Sequence, residues 1–240
     1  MCGIVGYLGP SEAADLLLNG LRRLEYRGYD SAGLAVMNGG EARILRAEGK
    51  LQNLAKRLKE EPLAGTTGIG HTRWATHGRP CVENAHPHKS GRITVVHNGI
   101  IENHTALREE LRAAGRIIAS ETDTELVAHL VDQGLEQGIS VLDALRQALG
   151  RVEGAYALGI LSDTEPARIY FAKQGSPLIV GLGQGESFLA SDIPAILGHT
   201  RDMIFLEDGQ HGELRPDWVS LFDREGQPVP PEPRHITWSA

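Results

Sequence analysis

The sequence predicts a single α+β domain with two groups of strands. Its first half alternates amphipathic helix patterns with short apolar strands, whereas the part from Ala155 onward is mainly a succession of short strands. The chain has 240 residues, of which 41% are hydrophobic, so it is long enough to bury a sizeable core. We therefore expect one globular domain rather than several.

Apolar spacing and turn signals place the individual elements of the chain. Leucines recur at helical spacing in several segments, and Asn38-Gly39-Gly40 is a strong hairpin signal. The expected elements are a strand at 4–8, a helix from 11 to 24, an ordered loop at 26–33, strands at 34–37 and 44–45, a helix ending at 61, strands at 66–71 and 92–97, helices at 105–114, 122–131 and 140–149, and strands at 156–161, 168–172, 178–181, 187–190, 203–206 and 219–222.

The composition argues against several classes of function. A formal net charge of −7 disfavours a nucleic-acid or anionic membrane surface, because both need a basic face. No apolar run of about 18 residues and no signal peptide occur, so we expect no membrane span and a cytoplasmic location. In that reducing compartment the two cysteines are not expected to pair, and Cys81 is interpreted as a bystander thiol. We expect no cofactor and no bound metal.

Cys2 is the first candidate for chemistry because it follows Met1 directly. Removal of Met1 would leave one residue with both a thiol and a free α-amine, which titrate near ~8.5 and ~8. Such a residue can act as nucleophile and base in one. The alternative is that Cys2 is merely a small buried residue at the start of the first strand.

A polar segment at 66–104 holds six of the ten histidines, and its residues 73–78 and 98–99 lie just past the ends of two predicted strands. Arg73 offers a planar fork suited to a carboxylate, while Thr76 and His77 offer short polar contacts. The histidines also leave open a zinc hydrolase. Its plausible ligands are His71, His77, His86, His88, His97 and Asp123.

Three further polar positions have two interpretations each. The side chain of Asn98 and the backbone N–H of Gly99 can form an oxyanion hole, but Asn-Gly is also a common turn. Thr122 and Glu125 fit a capping box at the start of a helix. Asp123, in the first turn, either complements the helix dipole or binds a substrate ammonium group.

Several segments together resemble a known family. Residues 2–6, 24–33, 71–78, 84–88, 97–103 and 120–125 resemble the glutaminase domain of glucosamine-6-phosphate synthases, and are less similar to that of amidophosphoribosyltransferases. The resemblance implies an N-terminal nucleophile hydrolase-type, four-layer αββα sandwich. Four prolines between 228 and 233 predict a poorly packing stretch. We therefore expect a glutaminase domain at 1–227, and by resemblance the start of a linker to a sugar-isomerase portion at 228–240.

The resemblance also implies a reaction and its residues. Cys2 would attack L-glutamine and form a glutamyl thioester, with Asn98 and Gly99 holding the oxyanion. Water would then release glutamate, and the ammonia would serve glucosamine 6-phosphate synthesis from fructose 6-phosphate in a full-length homodimer. The residues implied to bind or support the substrate are Arg73 for its carboxylate, Asp123 for its ammonium, Thr76, His77, Trp74 on a closing loop, and Arg27 near the thiol.

One alternative of a different class stays open. A glutamine-sensing module would use Arg73 and Asp123 to bind glutamine but would not need the thiol. Rapid alkylation of Cys2 by a glutamine-like electrophile separates an enzyme from such a module.

Overall fold

The computed structural model describes residues 2–75 and 78–237. Within these ranges the chain forms five α-helices and fifteen strands. The helices are α1 (Ala13–Arg22), α2 (Leu51–Glu60), α3 (His104–Ala113), α4 (Thr124–Glu136) and α5 (Val141–Leu149). The strands are β1 (Gly3–Leu8), β2 (Ser31–Asn38), β3 (Glu41–Glu48), β4 (Thr67–Arg73), β5 (His88–Ser90), β6 (Ile93–Ile101), β7 (Gly154–Ser162), β8 (Ile169–Gln174), β9 (Ile179–Leu182), β10 (Ser187–Ala190), β11 (Asp202–Phe205), β12 (His211–Arg215), β13 (Trp218–Phe222), β14 (Pro228–Val229) and β15 (Arg234–His235).

The strands form two antiparallel sheets. The first sheet has the order β15-β11-β9-β10-β1-β4-β2-β3, and the second has the order β14-β13-β12-β8-β7-β6-β5. β1 therefore lies inside the first sheet, where Gly3 is opposite Thr72 of β4 and Val5 is opposite Ala190 of β10. This position gives the N-terminal segment strand neighbours on both sides.

Three apolar cores separate four layers. In the first core, leucines of α1 and α2 such as Leu17 and Leu54 pack on the first sheet. In the second, residues of α3, α4 and α5 pack on the second sheet. The third core, which includes Ile69 and Phe171, lies between the two sheets. Because each fully buried leucine or isoleucine side chain stabilises the fold by roughly 1.5–3 kcal/mol, these cores hold the layers together. The expected αββα sandwich is confirmed.

Most predicted elements are present. The differences arise where a strand pairs with another strand that is far away in the sequence. β2 begins at Ser31, so the expected loop at 26–33 is shorter and contains a single 3₁₀ turn at Glu25–Arg27. β6 continues to Ile101, so Asn98 and Gly99 lie inside a strand opposite Ala157 and Tyr156. The turn interpretation of Asn98-Gly99 is therefore wrong.

Packing continues past residue 227, where we expected the compact domain to end. Pro228–Val229 pairs with β13, and Arg234–His235 pairs with β11. Both short strands are the outermost strands of their sheets, where a proline that lacks a backbone N–H is tolerated. Ile236 is buried in the first core, and its N–H donates to the Arg201 carbonyl at 2.8 Å. The packed region thus reaches at least Ile236.

None of the helices in the described part of the chain combines the length and apolar character that crossing a bilayer requires.

Candidate active site

One cleft collects side chains from both sheets. It is narrow and lies where β1 begins, β4 ends and β6 passes. The cleft is lined by Cys2, Arg73, Trp74, His86, His97, Gly99, Thr122, Asp123 and Thr124. Asn98 contacts Cys2, whereas Thr76 and His77 lie outside the described residues. A larger cleft beside α5 is lined by none of the predicted site residues that the structure describes.

Cys2 is held through its backbone as well as its sulfur. Its Sγ accepts a hydrogen bond from the Trp74 N–H at 3.1 Å. Its carbonyl oxygen accepts from Asn98 Nδ2 at 3.1 Å and from Arg27 Nη1 at 3.3 Å. Burial raises the pKa of the Cys2 thiol, and this is opposed by the Trp74 N–H and by the charge of Arg73. A thiol with a raised pKa is mostly protonated near neutral pH, so attack requires a nearby base.

Gly99 occupies a backbone conformation that suits only glycine. Its φ is +126°, and a Cβ built on it would lie 2.0 Å from the carbonyl oxygen of Ala155. Any side chain would push β6 away from β7 at this point. The close approach leaves the backbone of residue 99 at the cleft wall without a covering side chain.

The sequence placed Arg73 just past a strand that ends at residue 71, whereas in the structure β4 extends to Arg73 as its last residue. Its side chain is only 3% exposed. Nη2 donates to the Gly78 carbonyl at 3.1 Å and Nη1 to the Arg79 carbonyl at 3.3 Å, while Asp30 Oδ1 lies 3.8 Å from Nη1. These contacts fix a planar cation at the edge of the cleft, where it can face an anionic group.

Asp123 lies immediately before α4 and is buried. Its Oδ2 accepts a hydrogen bond from the Ile101 N–H at 2.7 Å, which joins the helix start to β6. The predicted capping box between Thr122 and Glu125 does not form. Instead, the Glu125 carboxylate accepts from the N–H groups of residues 119 and 120, and the hydroxyl of Thr122 bonds to His88.

Arg27 and Trp74 border the nucleophile on the side of the first sheet. Arg27 contacts the Cys2 carbonyl and forms an ion pair with Asp192 at 2.5 Å. The charge of Arg27 is thus paired with Asp192, while the Trp74 N–H and the charge of Arg73 favour the thiolate form of Cys2. Trp74 is 54% exposed, and its indole ring lies against Gly28, where a Cβ would be 2.7 Å from the ring.

The long-range contacts of Asp192 are invisible in the sequence. Tyr26 donates from its hydroxyl to Asp192 Oδ2, the same oxygen that pairs with Arg27. Asp192 follows β10, the strand beside β1, and therefore reaches the nucleophile segment only in the folded sheet. No local pattern marks this aspartate as part of the site.

Three buried histidines near the cleft, His71, His88 and His97, bond to neutral groups. His71 Nε2 lies 2.9 Å from Asn98 Oδ1, and its ring stacks on that of His86 with centroids 4.1 Å apart. His88 and His97 bond to the hydroxyls of Thr122 and Thr124 at 3.0 and 2.9 Å. Burial lowers the pKa of both His71 and His88 to about 3, so these rings are neutral.

The geometry of these side chains disfavours the zinc hydrolase interpretation. Across the described ranges, no three His, Cys, Asp or Glu side chains converge in a way that would hold a metal ion. The histidines of the cleft instead stack on one another or bond to hydroxyl and amide groups.

The chain is similar to glutamine amidotransferases in both its family profile and its relatives. Residues 75–198 match the profile of a family described as a glutamine amidotransferase domain. The chain is 50% identical over 242 residues to the isomerizing glutamine–fructose-6-phosphate aminotransferase of Clostridium tetani, with 100% of this chain and 40% of the relative covered. It is 54% identical over 230 residues to the enzyme of that name from Escherichia coli K12, with 95% and 38% covered.

Solved structures with the same fold include other amidotransferases. The glutamine phosphoribosylpyrophosphate amidotransferase of B. subtilis, complexed with ADP and GMP, has a TM-score of 0.81 at 25% identity, with 93% of this chain and 49% of that chain covered. A glutamine aminotransferase class-II domain protein from Silicibacter pomeroyi has a TM-score of 0.62 at 16% identity, with 92% and 99% covered, and shows the fold alone. The chain spans about two fifths of the length of the curated relatives.

Proposed function

This chain belongs to the glutamine amidotransferase domain family, and on that premise we propose that it hydrolyses L-glutamine to L-glutamate and ammonia with Cys2 as the nucleophile. The observation that carries the proposal is the single cleft in which Cys2 lies beside an arginine, an aspartate and the exposed backbone of Gly99. A thiol, a carboxylate-binding cation and an ammonium-binding carboxylate are the groups that attack on a free amino acid requires.

The proposed reaction starts with removal of Met1, which frees the α-amine of Cys2. This amine takes the thiol proton, and Sγ forms a bond to the side-chain carbonyl carbon of glutamine. The oxyanion that develops accepts hydrogen bonds from Asn98 Nδ2 and the Gly99 N–H, and the proton on the amine passes to the leaving nitrogen. The C–N bond breaks, ammonia leaves, and a glutamyl thioester remains on Cys2. Water then attacks the thioester, releasing glutamate and restoring the thiol.

Arg73 and Asp123 supply the proposed clamp on the α-carbon end of the substrate. The buried guanidinium of Arg73 suits the α-carboxylate, and the carboxylate of Asp123 suits the α-ammonium. Asp123 Oδ2 already accepts from the Ile101 N–H, so the other oxygen remains for the substrate. Thr76 and His77, proposed to assist them, lie outside the described residues.

The roles of Trp74 and Arg27 are proposed to be indirect. Trp74 donates its backbone N–H to the nucleophilic sulfur and has a half-exposed ring, which suits a loop that closes over bound glutamine. Arg27 holds the carbonyl of Cys2 and so orients the nucleophile.

In the full-length protein we propose that the ammonia is used to make glucosamine 6-phosphate from fructose 6-phosphate. The similarity to isomerizing glutamine–fructose-6-phosphate aminotransferases, at 50% and 54% identity, supports this use. A linker following the packed region would lead to a sugar-isomerase portion, and the complete protein would be a cytoplasmic homodimer.

Alkylation of the nucleophile tests the proposed hydrolysis directly. A glutamine analogue with an electrophilic carbon in place of the amide should add one equivalent to Cys2, as measured by intact mass and peptide mapping. The matched control is Cys81→Ser, which should react and hydrolyse glutamine like the wild type, since Cys81 lies outside the cleft.

The same experiment separates an enzyme from a glutamine sensor. Glutamine hydrolysis that persists in a verified Cys2→Ala protein would refute the nucleophile assignment. A wild-type protein that binds glutamine without alkylation or turnover would favour the sensor.

A further inference from the structure

The side-chain amide of Asn98 lies between two partners that together fix its orientation. One end is 3.1 Å from the carbonyl oxygen of Cys2, and the other is 2.9 Å from Nε2 of His71. A carbonyl oxygen can only accept a hydrogen bond, so the amide nitrogen must face Cys2 and the amide oxygen must face His71. Nε2 of His71 must then carry a proton.

The surroundings of Nδ1, the other ring nitrogen of His71, favour the same tautomer. Among the described residues, Nδ1 of His71 has no hydrogen-bond partner. A proton placed there would leave a buried donor unpaired and would set two acceptors, Nε2 and Asn98 Oδ1, against each other. The Nε2–H tautomer avoids both costs.

The ring of His71 is also fixed in position, and it stays uncharged. It stacks on His86 at an interplanar angle of 22°, and Nδ1 of His86 lies 3.4 Å from the N–H of His97 that donates to it. The titratable and charged groups that face His71 are Arg73, His86, His88 and His97. Burial lowers the pKa of His71 to about 3. The ring therefore stays neutral, with one donor, across the pH range in which a thiol-dependent reaction proceeds.

We propose that His71 is a positioning residue for the oxyanion donor: its Nε2–H holds Asn98 Oδ1, so that one Nδ2 hydrogen binds the Cys2 carbonyl and the other faces the reacting carbonyl. This inference rests on the proposed glutamine hydrolysis. Without the donor on His71, the amide of Asn98 loses the contact that resists rotation about its last side-chain torsion. Preorganisation of the oxyanion donor is lost, while the groups that bind the α-carbon end of glutamine are untouched.

Kinetics of two substitutions test the proposal. His71→Leu removes the donor, and we expect kcat to fall about 10- to 100-fold with KM changed less than about threefold, because misplacing a catalytic donor costs up to about 100-fold. His71→Gln keeps an N–H donor near the position of Nε2 and should recover most of the loss. His211→Leu is the control: it removes a histidine that is also buried (2% exposed) but lines the cleft beside α5, and kcat should stay near wild type.

A double-mutant cycle distinguishes a role through Asn98 from a general loss of structure. If His71 acts through Asn98, the pair His71→Leu with Asn98→Ala should lose no more kcat than Asn98→Ala alone. Fully additive losses would overturn the proposal, as would a His71→Leu protein with wild-type kcat.

If His71→Leu fails to fold, nitrogen-15 NMR of the wild-type protein still tests the proposal, because it reports the tautomer of His71. We expect the neutral Nε2–H tautomer at pH 7; an Nδ1–H tautomer or a protonated ring would overturn the proposal. If Cys2→Ala is inactive but His71→Leu has wild-type kcat, only the positioning role of His71 is refuted. If Cys2→Ala still hydrolyses glutamine, the proposed mechanism of hydrolysis is refuted as well.

Discussion

Mild acid should destabilise this fold through its buried histidines. His71, His86 and His88 lie within the folded protein with lowered pKa values, for which burial is the main cause. For His71 and His88 the pKa is about 3, whereas an unfolded histidine titrates near ~6.5. Lowering the pH therefore protonates these rings only in the unfolded chain.

The size and sign of the effect follow from proton linkage. Because the unfolded chain binds the protons, the stabilisation is fully present above a pH of about 6.5 and is lost as the pH falls toward about 3. Between about pH 7.5 and pH 5.5, each ring lowers the free energy of unfolding by about 1.4 kcal/mol. His71 and His88 together contribute about 3 kcal/mol, and His86 adds in the same direction. Such a loss is a large share of the free energy of unfolding of a typical protein, which is about 5–15 kcal/mol.

Urea denaturation at several pH values measures this effect. Carboxylates with ordinary pKa values stay ionised down to about pH 5.5, so the change over this range reports mainly on histidines. Replacing His71 with leucine should make the pH dependence shallower by about 1.4 kcal/mol over the same range. A free energy of unfolding that stays constant or rises from pH 7.5 to 5.5 would refute the account, because it would mean that the folded protein protonates these rings as readily as the unfolded chain.

Three further predictions concern the reaction. Asn98→Ala should lower kcat by about 100- to 1,000-fold with little change in KM, as steady-state kinetics will show; weakened binding with unchanged kcat would contradict an oxyanion role. Arg73→Ala should raise KM for glutamine by about 10- to 100-fold, because it removes a charge-assisted contact of roughly 1.5–3 kcal/mol, and Asp123→Asn should act in the same direction. Wild-type KM in both variants would refute the proposal that Arg73 and Asp123 bind the substrate. The 240-residue chain, given glutamine and fructose 6-phosphate, should form glutamate and ammonia but no glucosamine 6-phosphate. Enzyme-dependent amino sugar in a separate product assay would show that the division of labour is wrong.

Local patterns were enough to predict most helices and strands. The spacing of Leu17 and Leu21 predicts the buried face of α1, and both are fully buried. Ser140 accepts from the Asp143 N–H at the start of α5, a cap that forms within the first turn of the helix expected at 140–149. These features depend on neighbours within one or two turns of the chain.

Features set by distant partners were not predictable. β12 contains His211, Gly212 and Glu213, which form no alternating apolar pattern, yet it pairs with both β8 and β13. Asn98 has a strong local turn preference that pairing with β7 overrides. The contacts of Asp192 and His71 with the nucleophile segment likewise join residues far apart in sequence, so only the fold reveals them.

The central position of β1 has a consequence for the order in which the protein is made. β1 is synthesised first, but Val5 pairs with Ala190, which leaves the ribosome much later. At about 5–20 residues per second, that partner is made roughly 10–40 s after β1. During this interval one edge of β1 has no strand beside it, and the N-terminus stays open to the aminopeptidase that removes methionine. We therefore expect the nucleophile to be unmasked while the chain is still growing, before the sheet closes around it.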